Sequence, residues 1–217
     1  MYETVHLEER LVIEKIFGDR IGRLLEIGAY DGTTASLSSR LIDNGWSAVL
    51  VEPAARAFSR LLNKYADMTR IELIHCAVSP TPGLVKFYET RGSAHDQLSS
   101  LNRDFATAWD VSGDAYWVKS IGVKELFCAV GSPDFDLVII DAEGLSVEIA
   151  KAMPLASMLK TNVICVESDD GSCSDAAAAI SQWYNVTIIH PNAIGVRKND
   201  YDAEESKVQE EPLLINH

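Results

Sequence analysis

Apolar positions recur along this chain in two rhythms. Between residues 5 and 17 (VHLEERLVIEKIF) they return at helical spacing. Val5, Leu11, Val12 and Ile16 fall near one face, and Leu7, Ile13 and Phe17 widen it, so an opening amphipathic helix stopped by Gly18 is expected. After it come short, largely apolar segments that read as strands: 23–27, 47–51, 71–78, 135–141 and 162–167. Such runs suit strands buried on both faces. The segments between them read as helices over 33–44 (Gly45 at its C-terminal cap), 54–65, 146–159 (Pro154 near its end) and 174–183. Two closing strands, 186–190 and 193–197, are joined by His190-Pro191-Asn192 as an antiparallel hairpin. Apolar strands alternating with helices make this an α/β chain with a doubly wound, mostly parallel sheet covered on both faces.

One connection breaks the rhythm. More than fifty residues separate Val78 from Phe135, where a crossover needs roughly a dozen. This insert carries a hairpin signal near 84–89, a polar stretch over 91–100 and a helix near 104–110. The expected organisation is one domain over 1–198 with an insert near 79–134, followed by an acidic, mobile tail over 199–217.

Composition narrows the function classes. The chain of 217 residues is 47% hydrophobic and 24% charged, as soluble globular proteins are. No apolar run reaches the roughly 18 residues that span a bilayer, and the charged start MYETVHLEER has no signal-peptide core. A net charge of −13 argues against nucleic-acid and anionic-membrane partners, which call for a basic face. Cys76, Cys128, Cys165 and Cys173 lack metal-site spacing. They suit a reducing compartment, and a cytoplasmic location is expected.

Three short motifs carry chemistry. Glu26-Ile27-Gly28-Ala29-Tyr30-Asp31-Gly32-Thr33 leads a buried strand through a glycine turn into a helix, the geometry that receives a nucleotide at the carboxyl edge of a sheet. Tyr30 stands where a dinucleotide fingerprint has its second glycine, which is awkward for a pyrophosphate and tolerable for a cofactor without one. Glu52 follows Gly28 by 24 residues at the end of the next strand, where an acid accepts hydrogen bonds from ribose hydroxyls. Asp141 and Glu143 leave the fourth strand on alternate positions, so both carboxylates can face one crevice.

The succession of Glu26 to Gly32, Val51-Glu52-Pro53, Ala77-Val78-Ser79, Ser99-Ser100-Leu101 and Ile140-Asp141-Ala142-Glu143-Gly144 resembles the FkbM-type S-adenosylmethionine-dependent methyltransferases over roughly residues 23–198. The resemblance implies a seven-stranded, Rossmann-like methyltransferase sheet and O-methylation of a sugar or another small hydroxylated compound. By that similarity Glu26, Gly28, Ala29, Tyr30 and Gly32 line the methionine end of the cofactor. Glu52 with Pro53 holds the ribose, Cys76 and Ala77 lie near the adenine, and Asp141 borders the site. One departure is that family members carry a further acid shortly after the Asp-x-Glu-Gly motif. Leu145 and Ser146 stand there instead, and Glu148 could substitute from another face.

Methyl transfer to an alcohol requires alignment and removal of a proton. Asp141 or Glu143 is the expected base, with a raised pKa or through a divalent cation shared by Asp141 and Glu167 or Asp169. His75 reads as a core residue, while His95 and His190 could border the crevice. Trp109, Tyr116 and Trp117 could form a lid. Two other readings stay open: an NAD-dependent oxidoreductase, opposed by Tyr30 and by the lack of a Tyr-x-x-x-Lys pair, and a non-catalytic binding module on the same fold. Neither the oligomeric state nor a metal requirement is read from the sequence.

Overall fold

The architecture follows from five largely apolar parallel strands. In the computed structural model, which describes residues 6–89, 99–104, 114–168 and 172–198, the elements run in alternation. The first half holds α1 (Leu7–Phe17), β1 (Arg23–Ile27), α2 (Ser39–Asp43), β2 (Ser47–Val51), α3 (Ala55–Tyr65), β3 (Ile71–Ile74), β4 (Ala77–Val78) and β5 (Gly83–Glu89). Then come β6 (Asp114–Ile121), α4 (Val123–Ala129), β7 (Leu137–Ile140), α5 (Ser146–Ala152), β8 (Val163–Glu167), α6 (Ser174–Ile180), β9 (Tyr184–Ile189) and β10 (Asn192–Arg197).

Seven strands form one sheet in the order β3-β2-β1-β7-β8-β10-β9, parallel except for β10, which pairs antiparallel with both β8 and β9. This is the doubly wound sheet with a closing antiparallel hairpin that the alternation predicts. Side chains alternate between the two faces. Leu25, Val49, Val138 and Ile164 pack under α4, α5 and α6, whereas Leu24, Leu50, Ile139 and Cys165 pack against α1, α2 and α3. Strand order reverses between β1 and β7, and such a switch point opens a crevice at the carboxyl ends of the strands.

The insert adds a second sheet, β4-β6-β5, in which β5 pairs antiparallel with the distant β6. The local hairpin expected near 84–89 is therefore a long-range pairing. The small sheet is fastened to the start of α3. The Ala55 N–H donates to the Tyr116 hydroxyl at 3.0 Å and the Arg56 N–H to Glu89 Oε1 at 3.3 Å.

Several boundaries differ from the sequence reading, each for a local reason. The helix expected over 33–44 shrinks to Ser39–Asp43. Upstream of it, side chains take the backbone: Thr33 and Thr34 N–H donate to Asp31 Oδ1, Ser39 N–H donates to Ser36 Oγ, and Ala35 turns left-handed at φ 55°. The C-terminal cap at Gly45 stands, with φ 103°; Gly45 N–H reaches the Ile42 carbonyl and Trp46 N–H the Leu41 carbonyl, a Schellman arrangement. The run 71–78 splits into β3 in the large sheet and β4 in the small one. The helix from Ser146 stops at Ala152, ahead of Met153-Pro154, because the residue before a proline avoids helical backbone. The helix from Ser174 ends at Ile180, a turn short of the expected 183. In α1 the buried positions are Glu9, Arg10, Ile13 and Phe17, while Leu7, Leu11 and Ile16 face solvent. The core thus takes the Ile13–Phe17 edge of the predicted stripe, with Val12 packed at its margin, and leaves Leu7, Leu11 and Ile16 outside. The expected helix near 104–110, the mobile tail, His95, Trp109 and Asp169 lie outside the described residues.

Gly28 marks the closest approach in the fold. At φ +89° its Cα faces the Asp141 carbonyl, and an added Cβ would lie 1.6 Å from that oxygen. No side chain fits there without parting the loops after β1 and β7. Gly28→Ala should destabilise the protein by more than about 3 kcal/mol, against a typical point-mutant effect near 1 kcal/mol. Denaturant unfolding measures this, and a loss under about 1 kcal/mol would show that the loops can separate freely.

Candidate functional site

The crevice at the switch point contains a cavity of about 190 Å³, many times the roughly 10–15 Å³ that one water occupies. The loop after β1 forms one wall and the ends of β2 and β4 another; the loop after β7 and the Ser99–Leu101 segment complete it. Glu26, Gly28, Ala29, Tyr30, Glu52, Pro53, Cys76, Ala77, Asp141 and Glu143, singled out in the sequence, all lie on its wall. Gly32 does not. It backs onto α3, where an added Cβ would meet Tyr65 at 2.6 Å and Leu61 at 2.8 Å, so its role is to seat the turn.

The glycine turn is held from below and behind. Gly28 and Ala29 N–H both donate to the Val51 carbonyl, which ties the turn to the end of β2. Asp31 caps the next residues, with Thr34 Oγ1 2.8 Å from its Oδ2. Tyr30 sits at φ 48°, its ring 5.0 Å from the Arg60 guanidinium. A left-handed non-glycine residue is uncommon and needs such support.

Glu52 is buried at 5% exposure, and both its oxygens are engaged. Oε2 accepts the Tyr30 N–H at 2.8 Å and Oε1 the Ala54 N–H at 2.7 Å. Each oxygen keeps a second lone pair for a ligand donor. Burial raises this carboxyl to about 7, against the pull of those two N–H bonds and with help from the Asp141 and Glu89 charges. Glu26 is equally buried and accepts the Ser38 hydroxyl at 2.5 Å. Desolvation lifts it to about 8, with Ser38 and Lys64 opposing and Asp141 and Glu52 adding to the rise. The Cys76 thiol is also pushed up by burial, to about 11, so it meets a ligand as a neutral group.

Three further acids line the cavity. Asp141, Glu143 and Glu167 each bring a carboxylate oxygen within 4.8 Å of the others. Such a group can share a proton or meet a cation, and oxygen ligands of this kind suit magnesium. Ser146 is buried with its Oγ accepting the Ala142 N–H at 2.8 Å, so it braces this loop; Glu148 is exposed on α5 and does not reach the cavity.

Other expectations are redirected. His75 is exposed, stacked on Phe58 with ring centroids 4.4 Å apart and 3.2 Å from the Pro53 carbonyl. It is a brace beneath the site and not a core residue, because β3 ends one residue before it. Tyr116 caps α3, Trp117 is 63% exposed, and neither lines the cavity, so they form no lid over it. His190 is also absent from the cavity wall.

The sequence reading missed three contributors. His6 lines the cavity, with Nδ1 2.9 Å from the buried Glu9, and Asn192 Nδ2 reaches the same Glu9 oxygen at 3.2 Å. Ser38 binds Glu26, and Lys64 reaches the glycine turn from α3. The only signal for the first group was a pair of charged residues on the wrong-looking face of α1.

No protein-family model matches this chain, and no curated protein matches it. Among solved structures, the methyltransferase FkbM from Methylobacillus flagellatus KT superposes with a TM-score of 0.53 at 12% identity, over 81% of this chain and 43% of that one. The N-terminal domain of human METTL16 in complex with SAH gives 0.49 at 10% identity, over 90% of this chain and 71% of that one. A TehB-like SAM-dependent methyltransferase from Corynebacterium glutamicum ATCC 13032 Kitasato gives 0.47 at 10%, over 88% and 87%. This chain thus spans less than half the length of the FkbM protein. The likeness to it shows a Rossmann-like methyltransferase fold, and at 12% identity it does not extend to membership of the FkbM family. Among the described residues no helix is long and apolar enough to cross a membrane.

The raised Glu26 pKa has a thermodynamic consequence. Its charged form is disfavoured in the folded state, so the penalty is absent below about 4.5, grows as pH rises towards about 8, and is constant above. Glu26→Gln should leave stability near the parent value at pH 5 and raise it by roughly 2 kcal/mol or more at pH 8.5. Ligand-free melting curves at the two pH values decide this; a difference that does not change with pH would mean Glu26 ionises at no such penalty.

Proposed function

We propose that this chain is an S-adenosylmethionine-dependent methyltransferase that methylates an oxygen of a small hydroxylated acceptor such as a sugar. The observation that carries this reading is the charge of the cavity wall at the switch point. Glu26, Glu52, Asp141, Glu143 and Glu167 line it, and among the described residues no lysine or arginine does. An adenosine cofactor that is cationic and lacks a diphosphate suits such a wall. A dinucleotide's diphosphate would face carboxylates in place of the donors it needs, which weighs against NAD. A non-catalytic module gives no reason for so many desolvated acids around an open cavity.

Bound there, S-adenosylmethionine would supply an activated methyl group on a sulfonium. Glu52 would take the ribose hydroxyls on its remaining lone pairs, and Gly28, Ala29 and Tyr30 would shape the methionine end. Glu26 would meet the ammonium group as a carboxylate. Pro53, Cys76 and Ala77 present a largely apolar wall for the adenine. Asp141 and Glu143 line the cavity that an acceptor hydroxyl would enter, and one of them would take its proton. The surrounding wall holds the hydroxyl in line and restricts water.

Calorimetric titration should give saturable binding of S-adenosylmethionine and S-adenosylhomocysteine, none of NAD, and at least a tenfold loss in Glu52→Ala. Binding of NAD alone would overturn the reading. With an acceptor found by screening free sugars and other polyols, Asp141→Asn or Glu143→Gln should lower methyl transfer about 10²-fold or more. Turnover within a few-fold of the parent in both variants would remove these residues from the chemistry.

A further inference from the structure

The small sheet turns its two faces to different surroundings. Val85, Phe87, Tyr116 and Val118 form the inner face, which packs on Ala54 and Ala57 beside α3. Alternation puts Leu84, Lys86, Tyr88, Ala115, Trp117 and Lys119 on the outer face, with Lys86 opposite Trp117 and Leu84 opposite Lys119. Leu84 and Trp117 are both largely exposed, and the Lys86 ammonium lies 5.9 Å from the Tyr88 ring. In a chain of net charge −13, this face carries two lysines and, among the described residues, no acid.

The outer face runs into a groove that leads to the acids. An open groove of about 410 Å³ follows the free edge of β5, with Ser79, Pro80 and Thr81 on one side and Leu101 and Leu145 on the other. Its size falls within the roughly 300–1,000 Å³ of small-ligand sites. Lys86 and Tyr88 belong to both the groove and the outer face. Leu101 and Leu145 also line the cavity at the switch point, so the two spaces adjoin there. The partition is fixed: Ser100 Oγ donates to the Glu143 carbonyl at 2.5 Å, and Tyr88 and Ser100 exchange backbone hydrogen bonds at 2.9 and 3.1 Å. Tyr88 thus turns its backbone N–H and C=O to the free edge of β5. By the alternation of an antiparallel strand Lys86 does the same, which gives the groove a backbone donor and acceptor.

We propose that this groove and the outer face of the small sheet bind the acceptor as a short anionic saccharide, a sugar bearing a carboxylate or a phosphate. One of its hydroxyls enters the acidic cavity past Leu101 and Leu145. The inference rests on the proposed function and deepens it by naming the class of acceptor. The rings of Trp117 and Tyr88 can cover the apolar face of a sugar at little cost in side-chain entropy. Lys86 and Lys119 meet the anionic group, which the acids of the cavity wall repel. The two ends together set the direction in which the acceptor lies. The negative charge of the whole chain disfavours long polyanions and anionic membranes, so a short ligand fits this local patch.

The test is calorimetric titration of the full chain at low ionic strength with trigalacturonate, glucose 1-phosphate, maltotriose and inorganic phosphate. S-adenosylhomocysteine binding is measured alongside. At least one of the two anionic sugars should bind saturably, about tenfold or more tighter than maltotriose and inorganic phosphate, and which one binds tells a carboxylate from a phosphate. Lys86→Ala and Trp117→Ala should each weaken that binding about fivefold or more. Both side chains are exposed, so neither change should endanger the fold. S-adenosylhomocysteine should bind within about twofold of its parent affinity in both variants and in the sugar-saturated protein, because the two ligands occupy adjoining spaces. Failure of both anionic sugars to bind, equal binding of maltotriose or inorganic phosphate, unchanged affinity in the variants, or competition with S-adenosylhomocysteine overturns the inference. So does sedimentation with phosphatidylglycerol vesicles in place of sugar binding, which would make the face a membrane surface. While S-adenosylhomocysteine still binds, each of these outcomes leaves the proposed function standing. Absence of its binding by the parent protein overturns the proposed function and the acceptor role together.

Discussion

Everything at the carboxyl edge of this sheet is organised by carboxyl groups taken out of water. Glu26 stands one residue before the end of β1, Glu52 follows β2 and Asp141 follows β7, so the reversal of strand order delivers three acids to one crevice. Desolvation works against the charges of Glu26 and Glu52. The protein offsets part of this with Ser38 and Lys64 around Glu26 and with two backbone N–H groups at Glu52. The remainder stays as lifted pKa values, a standing preference for a ligand that brings donors and positive charge. The rest of the site serves this arrangement. Gly28 lets the loops after β1 and β7 touch, α3 grips the turn, and the small sheet pins the start of α3.

Much of this edge was legible in the sequence because it depends on short, local patterns. The run 48–51 has no polar position, so it fits a strand covered on both sides. Gly28 and Glu52 fall where a strand must end, and strand ends are where a doubly wound sheet binds its ligand. The placement of Asp141 and Glu143 follows from alternation along an extended segment.

What the sequence concealed are competitions settled by distant partners. Residues 33–38 have helical spacing, but Asp31, Ser36 and Glu26 offer side-chain bonds that draw the backbone away from a helix. Part of the apolar stripe of α1 faces solvent while Glu9 is buried against His6 and Asn192, and an asparagine 183 residues away cannot be seen from helical periodicity. The break at His75 depends on Ala77 and Val78 pairing with Ser120 and Ile121 instead of extending β3. Tyr116 looked like an exposed aromatic available to a substrate until its hydroxyl was found capping α3. At residues 33–38 nearby side chains outcompeted the helix; in the other three cases a hydrogen bond of long sequence separation outweighed a local preference.

The site depends on Glu26 being largely protonated and Glu52 about half protonated at pH 7 before the ligand arrives, and on both ionising against it. Proton exchange tests this most directly: titrate S-adenosylhomocysteine into the protein at pH 7 in two buffers of different ionisation enthalpy and compare the apparent binding heats. With carboxyls at about 8 and about 7 in the free protein, binding should release protons to the buffer, approaching one or more per ligand. Equal heats in the two buffers, or uptake of protons, would contradict the account.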